Sequence, residues 1–363
     1  MKTLPNLRNS TSTTRAVVLG GYGTFGQIVA RELASRGVVV TVAGRNVERA
    51  KKLAAELGPA HAGVNADVRS ADDCAKVIAD HDGAVNCAGP VRDFGPSLLQ
   101  ACLQAKCHYV DISDDRSYCR LVREHHDAFA NANLAAVYGC SSLPGISLAA
   151  ALTAAKRREV PPELARVTLF IGNNNPKGQG AVASASRLVG RSIDAPQGPL
   201  LGFRWRERVP LPAPFGPRSV LNFESPDYDL LPERLGVNRV RVKVGFELSL
   251  TNWAFHTFAV MAPRIGRRLL PTLGKAGEIV RGIGTSGGVV MSELFWPDGE
   301  NHRVAVVARE QGQRMAALPA VYAAEQLGTE NINATGASTC VDLLGAEKLL
   351  DRLVQDGCCV IPG

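Results

Sequence analysis

The run Ala16-Val17-Val18-Leu19-Gly20-Gly21-Tyr22-Gly23-Thr24-Phe25-Gly26, continued by Gln27-Ile28-Val29-Ala30-Arg31-Glu32-Leu33, decides the fold. Four consecutive apolar residues read as a buried strand, and the residues after Gly26 take up the helical period. Between them lies Gly21-Tyr22-Gly23-Thr24-Phe25-Gly26. Gly21 makes a tight turn, Gly23 lets backbone N–H groups come close to a pyrophosphate, and Gly26 lets helix and strand pack closely. The N-terminus of the helix offers unpaired N–H donors and the positive end of its dipole to the anion. A strand before the glycines and a helix after them favour a dinucleotide loop over a purely structural turn.

Outward from this loop the chain alternates strands and helices. Ala16–Leu19, Val38–Ala43, His61–Asn65, Gly83–Cys87, His108–Val110 and Ala135–Tyr138 read as strands. Phe25–Arg36, Val47–Leu57, Ala71–His81, Ser97–Ala105 and Arg116–Ala132 read as the helices between them. This rhythm predicts right-handed crossovers and a doubly wound parallel sheet, an α/β domain of the Rossmann type. After Pro161-Pro162 the texture changes to long strand-like runs at Arg166–Gly172, Arg239–Leu250, Val289–Trp296 and Arg303–Arg309. They predict a second, α+β domain with a mixed sheet. The proline-bearing stretch Leu211–Leu235 reads as a long loop, and Ala320–Leu327 and Leu343–Gln355 as late helices. A chain of 363 residues has the length for two such domains.

Composition narrows the class. Apolar residues at 45% and charged residues at 21% are ordinary for a globular protein. The net charge of +7 is spread out, with no run of five or six basic residues, and suits anionic small molecules rather than nucleic acid. The nine cysteines include no Cys-x-x-Cys pair, so no metal site is expected. With no apolar leader at the N-terminus they read as reduced thiols of a cytoplasmic protein. Pro144–Ala155 and Trp253–Pro263 are the longest weakly polar stretches, too short to span a bilayer.

The second strand names the cofactor. An acid about 20 residues after the glycines would hold the ribose hydroxyls of NAD. Here the strand ends Val42-Ala43-Gly44-Arg45-Asn46, with no acid before Glu48. Arg45 has the planar fork for a 2′-phosphate, so NADP (NADPH) is expected, with Arg49 a second partner. Asp67-Val68, ending the third strand, either lies against the adenine or caps the next helix.

These residues carry a family likeness. The glycine loop, Ala43-Gly44-Arg45, Asp67-Val68, Asn86-Cys87-Ala88-Gly89-Pro90, Ala101-Cys102, His108-Tyr109-Val110-Asp111-Ile112-Ser113 and Gly139-Cys140-Ser141-Ser142-Leu143-Pro144-Gly145 resemble the NADP-binding half of saccharopine dehydrogenase-like oxidoreductases. Fainter matches follow at Gly287-Gly288 and Ala317–Val321. The resemblance implies a Rossmann domain, a mixed-sheet second domain and often a homodimer. The founding activity joins or cleaves a C–N bond between an amino acid and a keto acid through an imine; other relatives reduce C=C bonds of lipid-like substrates. Two departures stand out. Val91-Arg92-Asp93 is unusually charged, and the amino-acid-binding residues of saccharopine reductases find no match in the second domain. The expected division is residues 1–14 a flexible tail and 15–155 the NADP domain. Residues 156–317 form the substrate and dimerisation domain, and 318–363 the helices returning to the first.

In open α/β sheets ligands lie beyond the carboxyl ends of the strands. The candidate cofactor-binding set is therefore Gly21, Gly23, Thr24, Phe25, Gly26, Arg45, Asn46, Asp67, Val68, Cys87, Ala88, Gly89 and Pro90. For the proton that accompanies hydride transfer the candidates are Asp111, Tyr109 and Cys140, with His108 on the opposite face of its strand. Asp111 leads because it ends the fifth strand; its structural alternative is a helix cap, and that of Cys140 a buried thiol. Ser141 or Ser142 reads as a cap. Lys177 in Asn173–Gly180, and two alternating rows (Arg204, Arg206, Arg208 and Arg239, Arg241, Lys243), either hold a substrate carboxylate or face solvent. His256 reads as a core or interface residue. The apolar run Phe246–Pro263 with Leu269-Leu270 is core, a substrate channel or a dimer contact. The leading expectation is hydride transfer to or from an imine or ketone of a small carboxylated substrate. The alternatives are a C=C reductase on an apolar substrate and an NADP-binding sensor without turnover.

Overall fold

β-Branched runs flanked by glycines, with helix-period segments between them, build the first layer of a computed structural model. It describes residues 14–176, 178–276, 282–328 and 334–363. The strands are β1 (Arg15–Leu19), β2 (Val39–Gly44), β3 (Ala62–Asn65), β4 (Gly83–Asn86), β5 (His108–Asp111) and β6 (Ala135–Tyr138). The helices between them are α1 (Gly26–Ser35), α2 (Val47–Leu57), α3 (Ala71–Ile78), α4 (Ser97–Ala105), α5 (Arg116–Glu124) and α6 (His126–Asn131). The strands pair in parallel in the order 3-2-1-4-5-6, so the reversal of strand order falls between β1 and β4, at the glycine loop. The single helix expected over Arg116–Ala132 is broken at His125, whose Nδ1 pairs with the Leu121 carbonyl.

α7 (Ser147–Ala155), rich in alanine and buried nearly all round, leads into the second domain. There β7 (Leu164–Ile171), α8 (Gln179–Arg187), the hairpin β8 (Ser192–Ile193) and β9 (Leu200–Leu201), β10 (Glu207–Pro210), β11 (Pro217–Asn222) and α9 (Asp227–Leu235) follow. Next come β12 (Arg239–Phe246), α10 (Ser249–Met261), α11 (Pro263–Ala276), β13 (Gly288–Phe295) and β14 (Asn301–Ala308). The chain closes with α12 (Gly312–Leu327), β15 (Gly336–Thr339), α13 (Cys340–Leu344), α14 (Ala346–Gln355) and β16 (Cys359–Pro362). The second sheet runs β10-β11-β12-β7-β13-β14-β16. It is antiparallel except for the β12–β7 pair, and therefore mixed. Together the two sheets make an α/β domain of the Rossmann type and an α+β domain.

Several local expectations are corrected. The supposed loop over 211–235 holds β11 and α9, because Val220 and Leu221 fill the core and Asp227 and Asp229 begin a helix. The strand expected to carry Arg204, Arg206 and Arg208 does not extend, since Phe203 and Trp205 take positive φ and turn the chain twice; Arg208 alone lies on β10. β12 ends at Phe246, where Asn252 bonds both the N–H and the C=O of that residue and starts α10. β15 and β16 were not legible. Gly336-Ala337-Ser338-Thr339 has little apolar content and is a strand only because β6 offers it a parallel edge.

The core is layered. α3, α4 and α5 cover one face of the parallel sheet. A continuous cluster on the other face runs through α1, α7 and α12 to the mixed sheet, so the two domains share an apolar interior. α12, buried from Met315 to Ala324 on every side, packs against α1 and the strands of both sheets.

Candidate active site at the domain cleft

The glycine loop is held from all sides. A Cβ on Gly21 would lie 2.7 Å from the Val18 carbonyl and 2.8 Å from Val42, and one on Gly26 would lie 2.7 Å from Gly21 Cα while colliding with the Gly20 carbonyl. Gly20, at φ +71, leaves only 2.7 Å between a Cβ and the Ala88 nitrogen, so the loop rests on the end of β4. Among the described residues the N–H groups of Thr24 and Phe25 meet no acceptor and stand open beside the start of α1. These are the donors and the close approach that a pyrophosphate requires.

Beside the loop, Tyr22 folds over Gly44, where a Cβ would strike its ring, and its hydroxyl accepts the Asn46 N–H at 2.8 Å. Asn46 caps α2 through the Arg49 N–H, and the Arg49 guanidinium stacks on Tyr22 at 4.7 Å. Arg45 is exposed at the tip of β2; among the described residues its guanidinium has no ion-pair partner. The ribose end is therefore cationic, and the acid whose charge Arg45 feels, Asp67, is already held by Arg69, which fits a 2′-phosphate. Asp67 does not cap α3, since Ser70 does. Arg69 grips the Asp67 carboxylate and holds it down at about 2, and Val68 is buried.

At the carboxyl end of β4, Cys87, Ala88 and Pro90 are half-buried and Gly89 is exposed, with nothing within 4 Å of its Cβ position. Burial holds the Cys87 thiol well above its ordinary range. Beneath this edge Asn86 accepts the Ala88 N–H at 3.1 Å and donates to the Tyr109 hydroxyl, which shares a hydrogen bond with Tyr118. Tyr109 is thereby a brace.

The three groups expected to carry the proton are all interior. Tyr109, Asp111 and Cys140 are all 0% exposed. Asp111 Oδ1 accepts the N–H groups of Ser113 and Gly139, each at 2.9 Å, locking the ends of β5 and β6 together. Its Oδ2 has no partner, and desolvation pushes the carboxyl up to about 6. Cys140 is packed against Cys340, and burial keeps its thiol protonated. Ser141 and Ser142 make no capping hydrogen bond.

Sequence reasoning missed Asp114. It lies on the short connection from β5 to α5, whose cap is the next residue, Asp115, bonded to the Tyr118 N–H. Asp114 is exposed to solvent, yet the protein around it desolvates its carboxyl and, helped by Asp115, pushes it up to about 6. Asp114 thus stands in water at the carboxyl end of β5, the end of the sheet that carries the glycine loop. The legible signal was an acidic pair just past a strand end, of which only one member can cap the helix.

The second domain forms the opposite wall. A Cβ on Gly178 would lie 3.3 Å from Thr24 Oγ1, so the start of α8 faces the glycine loop. The charged Val91-Arg92-Asp93 turn now has a reason. Arg92 pairs with Asp115 and, at 3.3 Å, with Glu224 of the second domain, while Asp93 pairs with Arg187 of α8 at 3.2 Å. Deeper, the buried Arg116 clasps Asp229 and the Asp194 carbonyl, and Arg120 reaches Asp229 at 2.7 Å.

The remaining candidates are engaged elsewhere. Lys177 lies outside the described residues. Asn173 and Asn175 tie the end of β7 to Glu247 and Gly287. Arg239 pairs with Glu163 at 2.7 Å, and the buried Lys243 donates to the Trp205 carbonyl, so that row does not line a cleft. Arg208 lines a separate polar pocket with Arg218, Glu247 and Asn252. His256 bonds the Phe203 carbonyl.

A parallel sheet with its glycine loop at the switch point, packed against a mixed sheet whose Gly178 lies beside Thr24, is the architecture of a dinucleotide-binding oxidoreductase. Residues 16–137 match the family described as the saccharopine dehydrogenase NADP binding domain. The fold is similar to that of apo saccharopine dehydrogenase (L-Glu forming) from Saccharomyces cerevisiae, with a TM-score of 0.67 over 96% of this chain and all of that one at 11% identity. A probable mitochondrial saccharopine dehydrogenase-like oxidoreductase of Arabidopsis thaliana is 29% identical over 126 residues, 31% of this chain and 28% of that protein. An uncharacterized oxidoreductase of Staphylococcus epidermidis is 35% identical over 86 residues, 23% of this chain and 36% of that protein. The chain thus spans only about a third of the length of these relatives. Residues 16–137 are thus an NADP-binding domain of the saccharopine dehydrogenase type, and the chain is similar there to saccharopine dehydrogenase-like oxidoreductases. Among the described residues no helix is long and apolar enough to cross a membrane.

Proposed function

We propose that the protein is an NADPH-dependent oxidoreductase acting at an imine or ketone carbon of a small carboxylated substrate. The observation that carries this reading is the Asp114 carboxyl at the carboxyl end of β5. It is accessible and tuned to about 6, on the same side of the sheet as the glycine loop. Bound NADPH supplies a hydride. As the carbon accepts it, the imine nitrogen or ketone oxygen needs a proton, which protonated Asp114 donates; in the oxidative direction the carboxylate takes that proton back.

The cofactor's place in this reading is supported by three features. The free N–H groups of Thr24 and Phe25 take the pyrophosphate, Arg45 and the Arg49–Tyr22 stack the 2′-phosphate, and Ala88-Gly89 the ribose edge. The rim of Arg92, Asp93, Asp114 and Arg187 is polar, which favours a polar substrate over the C=C reductase reading. The apolar run over 246–263 goes to the core and the outer surface instead.

Titration with NADPH and NADH, followed by reduced-nicotinamide fluorescence, comes first. Tight NADPH and weak NADH binding supports the reading, and a screen of keto acid plus amine pairs then identifies substrate. Binding of neither refutes it. Binding without turnover in any pair of keto acid and amine, or in any enone, leaves the NADP sensor.

A further inference from the structure

The helical hairpin α10–α11 presents an apolar and basic surface that the active site does not use. On α10, Leu250 (73% exposed), Trp253 (55%), Val260 and Met261 (79%) fall on one helical face at spacings of three, seven and eight, while Phe255 and Ala259 face the core. On α11, Ile265 and Leu269 are exposed one turn apart, and Arg264 and Arg268 stand exposed beside them. Met261, Arg264 and Ile265 join the two faces at the corner between the helices. Six large apolar side chains in water on one hairpin is more than a free surface normally tolerates.

The charge pattern says what covers them. From Ser249 to Ala276 the sequence contains no Asp or Glu, while Arg264, Arg267, Arg268 and Lys275 all fall within α11. A second copy of this chain docked symmetrically on the hairpin would bring like charges together. A lipid surface with anionic headgroups answers both features, since it takes apolar side chains to the level of the acyl chains and pairs with arginines at the phosphates. Trp253 has the amphipathic ring favoured at that depth.

We propose that α10–α11 is a docking surface for an anionic membrane, on which the enzyme seats peripherally. The test is co-sedimentation of the full chain with phosphatidylcholine vesicles, with and without phosphatidylglycerol, at low and high salt. The chain is expected to sediment with the anionic vesicles only, and to be released by salt. Each arginine near such a surface changes partitioning by about five-fold, so Arg264→Glu with Arg268→Glu should lower it by at least about 25-fold. Leu250→Ser with Met261→Ser should abolish sedimentation. Both pairs lie on the surface and should leave NADPH affinity and the melting temperature unchanged, so a lost fold or a failed cofactor reading is told apart. Failure to sediment, sedimentation untouched by either variant, or a dimer in solution that both variants split would each overturn the proposal.

Discussion

Asp111→Asn separates a structural carboxyl from a chemical one. Asp111 is fully buried, and its Oδ1 serves the N–H groups of Ser113 and Gly139, an acceptor role that an asparagine Oδ1 keeps. What changes is the charge. The folded carboxyl titrates at about 6 because burial penalises the anion, against an ordinary value of 3.8 for aspartate. Between those two values the folded state holds the proton more tightly than the unfolded chain, so this group's contribution to stability falls as pH rises through the window and is level above it. A rise of about two units corresponds to about 3 kcal/mol of lost stability at neutral pH. Asparagine carries no such loss, so the variant's stability relative to the parent should climb by about 3 kcal/mol between about pH 4 and pH 7. For a chain of this length that is about 4 °C in melting temperature, readable by scanning fluorimetry on the two proteins side by side. Asp114 and Asp227, also pushed up to about 6, are common to both proteins and cancel. Parallel curves of melting temperature against pH would refute the reasoning. So would a variant that binds NADPH with full affinity and no longer turns over, which would return the proton to Asp111.

Further outcomes follow from the same geometry. Asp114→Asn should keep NADPH affinity and remove the limb near pH 6 from the pH profile of reduction, where the parent loses rate as its acid form is titrated; an unchanged profile would exclude Asp114. Arg45→Asp should weaken NADPH binding by about 10- to 100-fold and spare NADH, measured by fluorescence titration. Arg116→Ala leaves Asp229 with only Arg120 and strips the Asp194 carbonyl of its donor, and calorimetry should show a loss of about 3–5 kcal/mol. Gly26→Ala forces a Cβ into the Gly20 carbonyl and should cost about 3 kcal/mol and abolish cofactor binding, by thermal melt and titration.

The sequence by itself determined what rests on local pattern. A four-residue apolar run, three spaced glycines and a helical period specify strand, phosphate turn and helix without help from the rest of the chain. Alternation of such units specifies the parallel sheet and places the glycines at its switch point. The missing acid after β2 and the presence of Arg45 are equally local, which is why the cofactor was legible. The tertiary structure alone decided which groups can meet a substrate. Asp111 and Asp114 are three residues apart and chemically identical; the turn after β6, donating the Gly139 N–H, makes the first an internal brace, while the second stands exposed beyond the end of β5. The charged turn at Arg92 and Asp93 had no reason in sequence because its partners, Glu224 and Arg187, lie about 95 to 130 residues away along the chain and are brought close only by domain packing. β15 and β16 belong to the same class, being short segments of weak intrinsic preference that become strands because a neighbouring edge satisfies their backbone groups.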